Sequence, residues 1–175
     1  MGYDLYCEEV TDDSVTKEEK YFRWNLVGWA PVLSLAHMYG WIPEGTTVPR
    51  ITEQMAKDHE IPKEQVQRHN VSAENWDGSY HGNDGQFVSS TDAVSMALAI
   101  ESSLDDIPDF EIPTPGVSED GTVSLNKKNP KYDKHRQALA SGVRSAYIVQ
   151  YSGIENKKYL RAFVKFLRLG KFSIN

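Results

Sequence analysis

Gly28-Trp29-Ala30-Pro31-Val32-Leu33-Ser34-Leu35-Ala36-His37-Met38-Tyr39-Gly40 is the stretch that decides how this chain folds. Pro31 is tolerated in a first helical turn, where its missing N–H would have no partner. Gly40 suits the left-handed position just past a helix end. Between them, Val32, Leu33, Leu35, Ala36, Met38 and Tyr39 put apolar groups on nearly every face. A helix apolar all round is buried, not laid amphipathically on a surface. The stretch predicts a central helix at about 30–39, and His37 on it reads as a hydrogen-bonded core histidine.

Upstream, Tyr3 to Val10 alternates weakly and is rich in aromatic and aliphatic residues, which predicts a strand. Tyr21-Phe22-Arg23-Trp24-Asn25-Leu26 predicts a second, paired with the first. The acidic stretch from Thr11 to Lys20 connects them. Downstream, Trp41 to Pro49 is a loop. Ile51 to His59 and Pro62 to His69 are short, polar, helix-prone pieces with little to bury. Gln86-Phe87-Val88 is a short strand. Ser89 with Asp92 resembles a capping box, and Ala93, Ala97, Ile100, Leu104 and Ile107 follow at helical spacing. Pro108 ends that helix, placing it at about 90–107.

Pro108 to Pro130 is a long irregular loop with room for a hairpin across Glu119-Asp120-Gly121. Tyr132 onward starts helical, while Ala146 to Tyr151 fits a strand equally well. Ile154 to Leu169 is a helix with Leu160, Phe163, Val164 and Leu167 on one face. Gly170 terminates it, and Phe172 to Asn175 adds an edge strand. The sum is α+β: a single domain, residues 1–175, with a small, mostly antiparallel sheet packed against the buried helix.

The chain has 175 residues, 39% hydrophobic and 25% charged, a globular composition. Its single cysteine, Cys7, forms no internal disulfide and no thiolate zinc site, which points to a reducing, cytoplasmic setting. No signal peptide is expected, and no apolar run approaches the roughly 20 residues that span a bilayer. The net charge of −6 is unevenly spread. Residues 1–126 carry 7 Lys and Arg against 23 Asp and Glu; residues 127–175 carry 12 against 2. Mutual neutralisation within one compact body explains this more simply than a dedicated anion site.

The densest polar cluster is Trp76-Asp77-Gly78-Ser79-Tyr80-His81-Gly82-Asn83-Asp84-Gly85-Gln86. It starts like a calcium loop but has Val88 where a bidentate glutamate is required. Trp76, Tyr80, His81, Asn83, Asp84 and Gln86 are the expected ligand-contacting residues. The two rings are candidates for stacking because they sit in a turn-rich loop, off any periodic face. His81 and Asp84 pair as base and orienter, but no serine or cysteine stands in a nucleophile elbow. On the C-terminal helix, Lys158, Arg161, Lys165 and Arg168 line up opposite the apolar stripe, either as a solvated face or as an anion-contacting one. Neither glycine-rich phosphate motif matches, and the five histidines show no metal-ligand spacing. No metal and no cofactor is expected.

Met1-Gly2-Tyr3-Asp4-Leu5, then Tyr21-Phe22-Arg23-Trp24-Asn25 with Gly28-Trp29, then Asn83-Asp84-Gly85-Gln86-Phe87-Val88 leading into Asp92-Ala93, together resemble a loose group of small uncharacterised proteins from bacteria and their phages. The resemblance covers about a third of the chain, implies a cytoplasmic microbial setting, and implies no activity. The leading expectation is a non-catalytic binding or regulatory protein that contacts a small anionic or nucleotide-like ligand or a protein partner. A small hydrolase using His81 and Asp84 is the second expectation, and an acidic protein-interaction factor the third. Specific nucleic-acid binding and membrane association are not expected.

Overall fold

The computed structural model describes residues 2–10, 14–112 and 146–175. The elements run β1 (Gly2–Cys7), β2 (Tyr21–Asn25), α1 (Leu26–Met38), α2 (Glu53–Asp58), α3 (Lys63–Glu74), β3 (Gln86–Val88), α4 (Ser90–Ser103), α5 (Ala146–Gln150), α6 (Ile154–Leu167) and β4 (Phe172–Ile174). The α+β expectation holds, with a four-stranded antiparallel sheet in the order β2-β1-β4-β3. The expected hairpin at Glu119-Asp120-Gly121 lies outside the described residues, as does most of the long loop.

Alternation sets the sheet's two faces. Tyr3 and Leu5 of β1, Trp24 of β2, Val88 of β3, and Phe172 and Ile174 of β4 are buried against helices. Asp4, Tyr6, Tyr21, Arg23 and Ser173 occupy the other face by the same alternation. β4 was expected at an edge and is instead central, pairing Leu5 to Cys7 on one side and Gln86 to Val88 on the other. Both its outward-alternating Ser173 and its neighbours are buried, as a middle strand requires.

α1 starts at Leu26, about four residues before the expected start near 30. The Asn25 side chain accepts from the Gly28 N–H at 2.6 Å and so defines the helix start. Pro31 therefore sits past the first turn and takes a hydrogen-bond donor away from the exposed Val27. Gly28 is needed for space: a Cβ there would come within 2.9 Å of Trp24 Cε3. One side of α1 (Trp29, Val32, Leu33, Leu35, Ala36) is buried. The other is not, which corrects the expectation of all-round burial: Leu26, Val27 and Met38 are exposed. The sheet, α4 and α5 enclose only part of the helix.

α6 lies over the sheet with Leu160, Phe163, Val164, Phe166 and Leu167 buried, so its expected stripe is the core face. Phe163 joins the rings of Phe22 at 5.0 Å, Trp24 at 5.2 Å and Trp29 at 6.2 Å. Trp24 Nε1 is the one buried side-chain nitrogen or oxygen among the described residues without a hydrogen-bond partner. Its indole meets Tyr151, Tyr159 and Phe163 edge to face, where ring faces are weak acceptors. α4 ends at Ser103, earlier than expected, because Leu104 to Ile107 close as a turn before Pro108. α3 runs on to Glu74. Neither α2 nor α3 buries a residue, as their polar composition predicts.

Candidate functional site

Two loops are fastened side by side below α1. The Thr46 N–H donates to Gly78 O, and Thr47 exchanges both backbone hydrogen bonds with Phe87. Thr46 Oγ1 donates to Ser79 O at 2.9 Å and accepts from Trp76 Nε1 at 2.7 Å. Gly78 takes φ +75° while its Cα faces Gly45, so a side chain at either position would strain the crossing. Gln86, fully buried, closes the turn from inside. Its amide donates to Gly82 O at 2.6 Å and Ser79 O at 3.3 Å, and its oxygen accepts from the Asp84 N–H.

The floor is organised by Asp92, which is 1% exposed. The expected capping box is half made: Ser89 Oγ accepts from the Asp92 N–H, but the Asp92 carboxylate turns inward. It accepts from Trp41 Nε1 at 2.7 Å and from the Tyr80 hydroxyl, which in turn accepts from the Gly45 N–H. The carboxylate lies in the first turn of α4, where the helix dipole favours negative charge. Burial, and then the Asp92 carboxylate, push the Tyr80 phenol well above the ordinary tyrosine range. Trp41 and Tyr80 meet near a right angle, centroids 5.2 Å apart. Their polar atoms are used on Asp92, leaving only a sliver of surface, 3% of Trp41 and 6% of Tyr80.

That surface forms part of a cleft of about 440 Å3, lined by Ala30, Leu33, Ser34, His37 and Met38 of α1, by Trp41, Pro43, Tyr80 and His81, and by Tyr147 of α5. The volume falls in the range of small-molecule sites. His37 is exposed here, not in the core, because it stands in the last turn of α1 on the uncovered side. Its Nδ1 is 3.1 Å from Trp41 O. His81 is held by its backbone: its N–H donates to Ser79 Oγ and its carbonyl accepts from the Tyr3 hydroxyl. Among the described residues no hydrogen bond engages its imidazole.

Of the six loop residues picked from sequence, the structure brings Tyr80 and His81 to this cleft. Trp76 is half-buried against Gly82 and bonded to Thr46, and Gln86 is interior. Asn83 and Asp84 are exposed on the turn, and no hydrogen bond joins Asp84 to His81 among the described residues. Sequence reasoning missed the α1 face, Trp41, Pro43 and Tyr147. The available signal was a helix with more apolar surface than a small sheet can cover, ending in His37 four residues before Trp41.

The basic stripe of α6 meets carboxylates from the acidic part of the chain and one from α6 itself. Arg168 meets Glu101 at 2.5 Å, Lys158 meets Glu155 at 2.7 Å, Lys165 lies near Glu19, and the exposed Arg161 acts on Asp109. Buried Lys157 donates to Ile107 O and to Asp109 at 2.7 Å, which holds the Asp109 carboxyl below its usual range. These pairs set cations of α6 against carboxylates of residues 1–126 at Glu101 and Asp109. Two further hollows, one against α6 and one between α2 and α3, are lined by no histidine among the described residues. No group of three His, Cys, Asp or Glu among the described residues is placed to hold a metal ion. No described helix is long and apolar enough to cross a membrane. Comparison with protein-family models, with curated proteins and with solved structures finds no match for this chain.

Proposed function

We propose that the protein binds a small molecule in the cleft between α1, Trp41 and His81, and that it does so without catalysis. The observation that carries this reading is a hollow lined by both His37 and His81 together with Trp41 and Tyr80. Pockets of this make-up, mostly apolar with a few convergent polar groups, are the usual form of ligand sites. Binding is favoured over hydrolysis because His81 and Asp84 are not hydrogen-bonded to one another, so a base and its orienter are not assembled. The Ser34 hydroxyl, at the cleft wall, donates to Ala30 O at 3.0 Å. The single cysteine favours a reducing, intracellular setting for this role.

Ser34→Phe tests the location. Ser34 is half-buried on the cleft wall, so a phenyl group there fills the hollow without entering the core. In a saturation-transfer NMR screen of uncharged aromatic fragments, wild-type protein is expected to give hits that Ser34→Phe loses, with both proteins sharing one urea midpoint. Hits that persist undiminished in Ser34→Phe would place binding elsewhere.

A further inference from the structure

Two features of the cleft restrict what fits it, taking the binding reading above as given. The first is charge. Ala30, Leu33, Ser34, His37, Met38, Trp41, Pro43, Tyr80, His81 and Tyr147 include no lysine, arginine, aspartate or glutamate. Among the described residues, a phosphate or carboxylate entering here would leave water without meeting a fixed cation of the lining, which is unfavourable. The nearest buried charge, Asp92, is itself an anion and lies under the floor.

The second feature is the proton on His37. Trp41 O is a carbonyl and accepts hydrogen bonds without donating them. The ring nitrogen 3.1 Å from it, Nδ1, therefore carries the hydrogen. In the neutral ring the other nitrogen, Nε2, is then a bare acceptor. A carbonyl behind an imidazole fixes which nitrogen faces a ligand in the same way at metal and catalytic sites. Among the described residues His81 has no such tether on its ring, so it adapts to either a donor or an acceptor. The Trp41 and Tyr80 indole and phenol tips are bonded to Asp92, and these residues contribute surface to the cleft, not hydrogen bonds.

We infer that the cleft selects an uncharged compound carrying an N–H or O–H, and that His37 Nε2 accepts that hydrogen. His37 is thus the specificity-determining residue, and Trp41 O is the group that sets its tautomer.

Indole, 1-methylindole and indole-3-carboxylate separate the two features. They share a ring system; the second lacks the donor and the third adds a negative charge. Dissociation constants are measured with the full chain by ligand-observed NMR. Indole is expected to bind, and 1-methylindole to bind about tenfold more weakly because it leaves the His37 acceptor unpaired. Indole-3-carboxylate is also expected to be at least about tenfold weaker than indole, since none of the described lining residues is a cation that offsets its desolvation. His37→Asn keeps an N–H for Trp41 O but removes the distal acceptor, so indole and 1-methylindole should then bind alike. His37→Gln, which reaches further with an amide oxygen, should restore part of the preference. Equal binding of indole and 1-methylindole to wild type overturns the donor rule while leaving the cleft reading intact. Tightest binding by the carboxylate overturns the charge rule in the same way. A preference for indole that survives in His37→Asn overturns the role of His37. Absence of binding by all three overturns the inference together with the binding reading beneath it.

Discussion

Asp92→Ala is expected to cost about 2–4 kcal/mol of stability. The Asp92 carboxylate is 1% exposed and receives both the Trp41 indole N–H and the Tyr80 hydroxyl. Deleting it leaves those two donors buried without partners, at about 1–3 kcal/mol each, less what is recovered by no longer burying an anion. The effect is more than local. Tyr80 holds the Gly45 N–H, and Gly45 crosses Gly78, so the fastening of the two loops loosens with it. Asp92→Asn should lose less, about 1–2 kcal/mol. An amide keeps an acceptor for Trp41 but presents a donor or nothing to Tyr80, whose oxygen already accepts from Gly45. Urea unfolding followed by tryptophan fluorescence gives both values, with the midpoint shifting at constant slope. Equal stability of Asp92→Ala and wild type would mean that the carboxylate does not organise the floor.

Trp29→Ala is expected to be the more damaging change, at about 4 kcal/mol or more. Trp29 is fully buried, with its ring 5.4 Å from Tyr3 and 6.2 Å from Phe163. Truncating a buried tryptophan leaves a large cavity and typically costs about 3–5 kcal/mol. The indole N–H also donates to Tyr80 O at 2.9 Å, so the same substitution leaves that buried carbonyl without its partner. The total approaches the whole stability of a marginal domain. Trp29→Phe separates the two parts. It retains much of the ring volume and loses the hydrogen bond, so about 1–3 kcal/mol of loss is expected from it. Thermal unfolding of the pair checks the split. Trp29 is the residue through which the core fixes the height of the loop at Tyr80 and His81, so Trp29→Phe should also weaken ligand binding.

Elements set by local pattern were legible in the sequence. The Leu160, Phe163, Val164, Leu167 spacing placed α6, and the Ser89 cap placed the start of α4. The aromatic alternation of Tyr3 to Leu5 and Tyr21 to Trp24 placed a paired β1 and β2. Features set by distant partners were not. Phe172 to Ile174 look like an edge strand because three residues carry no record of two flanking neighbours; the central place comes from Leu5 to Cys7 and Gln86 to Val88. α1 appeared buried on every face because composition reports how apolar a helix is, not how much of it the rest of the fold can cover. The site shows the same division. His81 was visible as an imidazole in a turn-rich loop. His37 was taken for a core residue, and its partnership with Trp41 O and with His81 depends on loops at residues 41–47 and 76–88 being fastened together. Trp76 and Gln86 looked like ligand contacts because aromatic and amide side chains serve equally well to staple a turn.

Histidine ring resonances followed during an indole titration test the cleft most directly, because the chain supplies its own controls. His59 and His69 lie on the α2–α3 segment, away from the lining residues. The account predicts that the His37 and His81 signals move together and saturate with one dissociation constant, while those of His59 and His69 stay in place. Signals of His37 and His81 that do not move, or that drift linearly in step with His59 and His69, would contradict it.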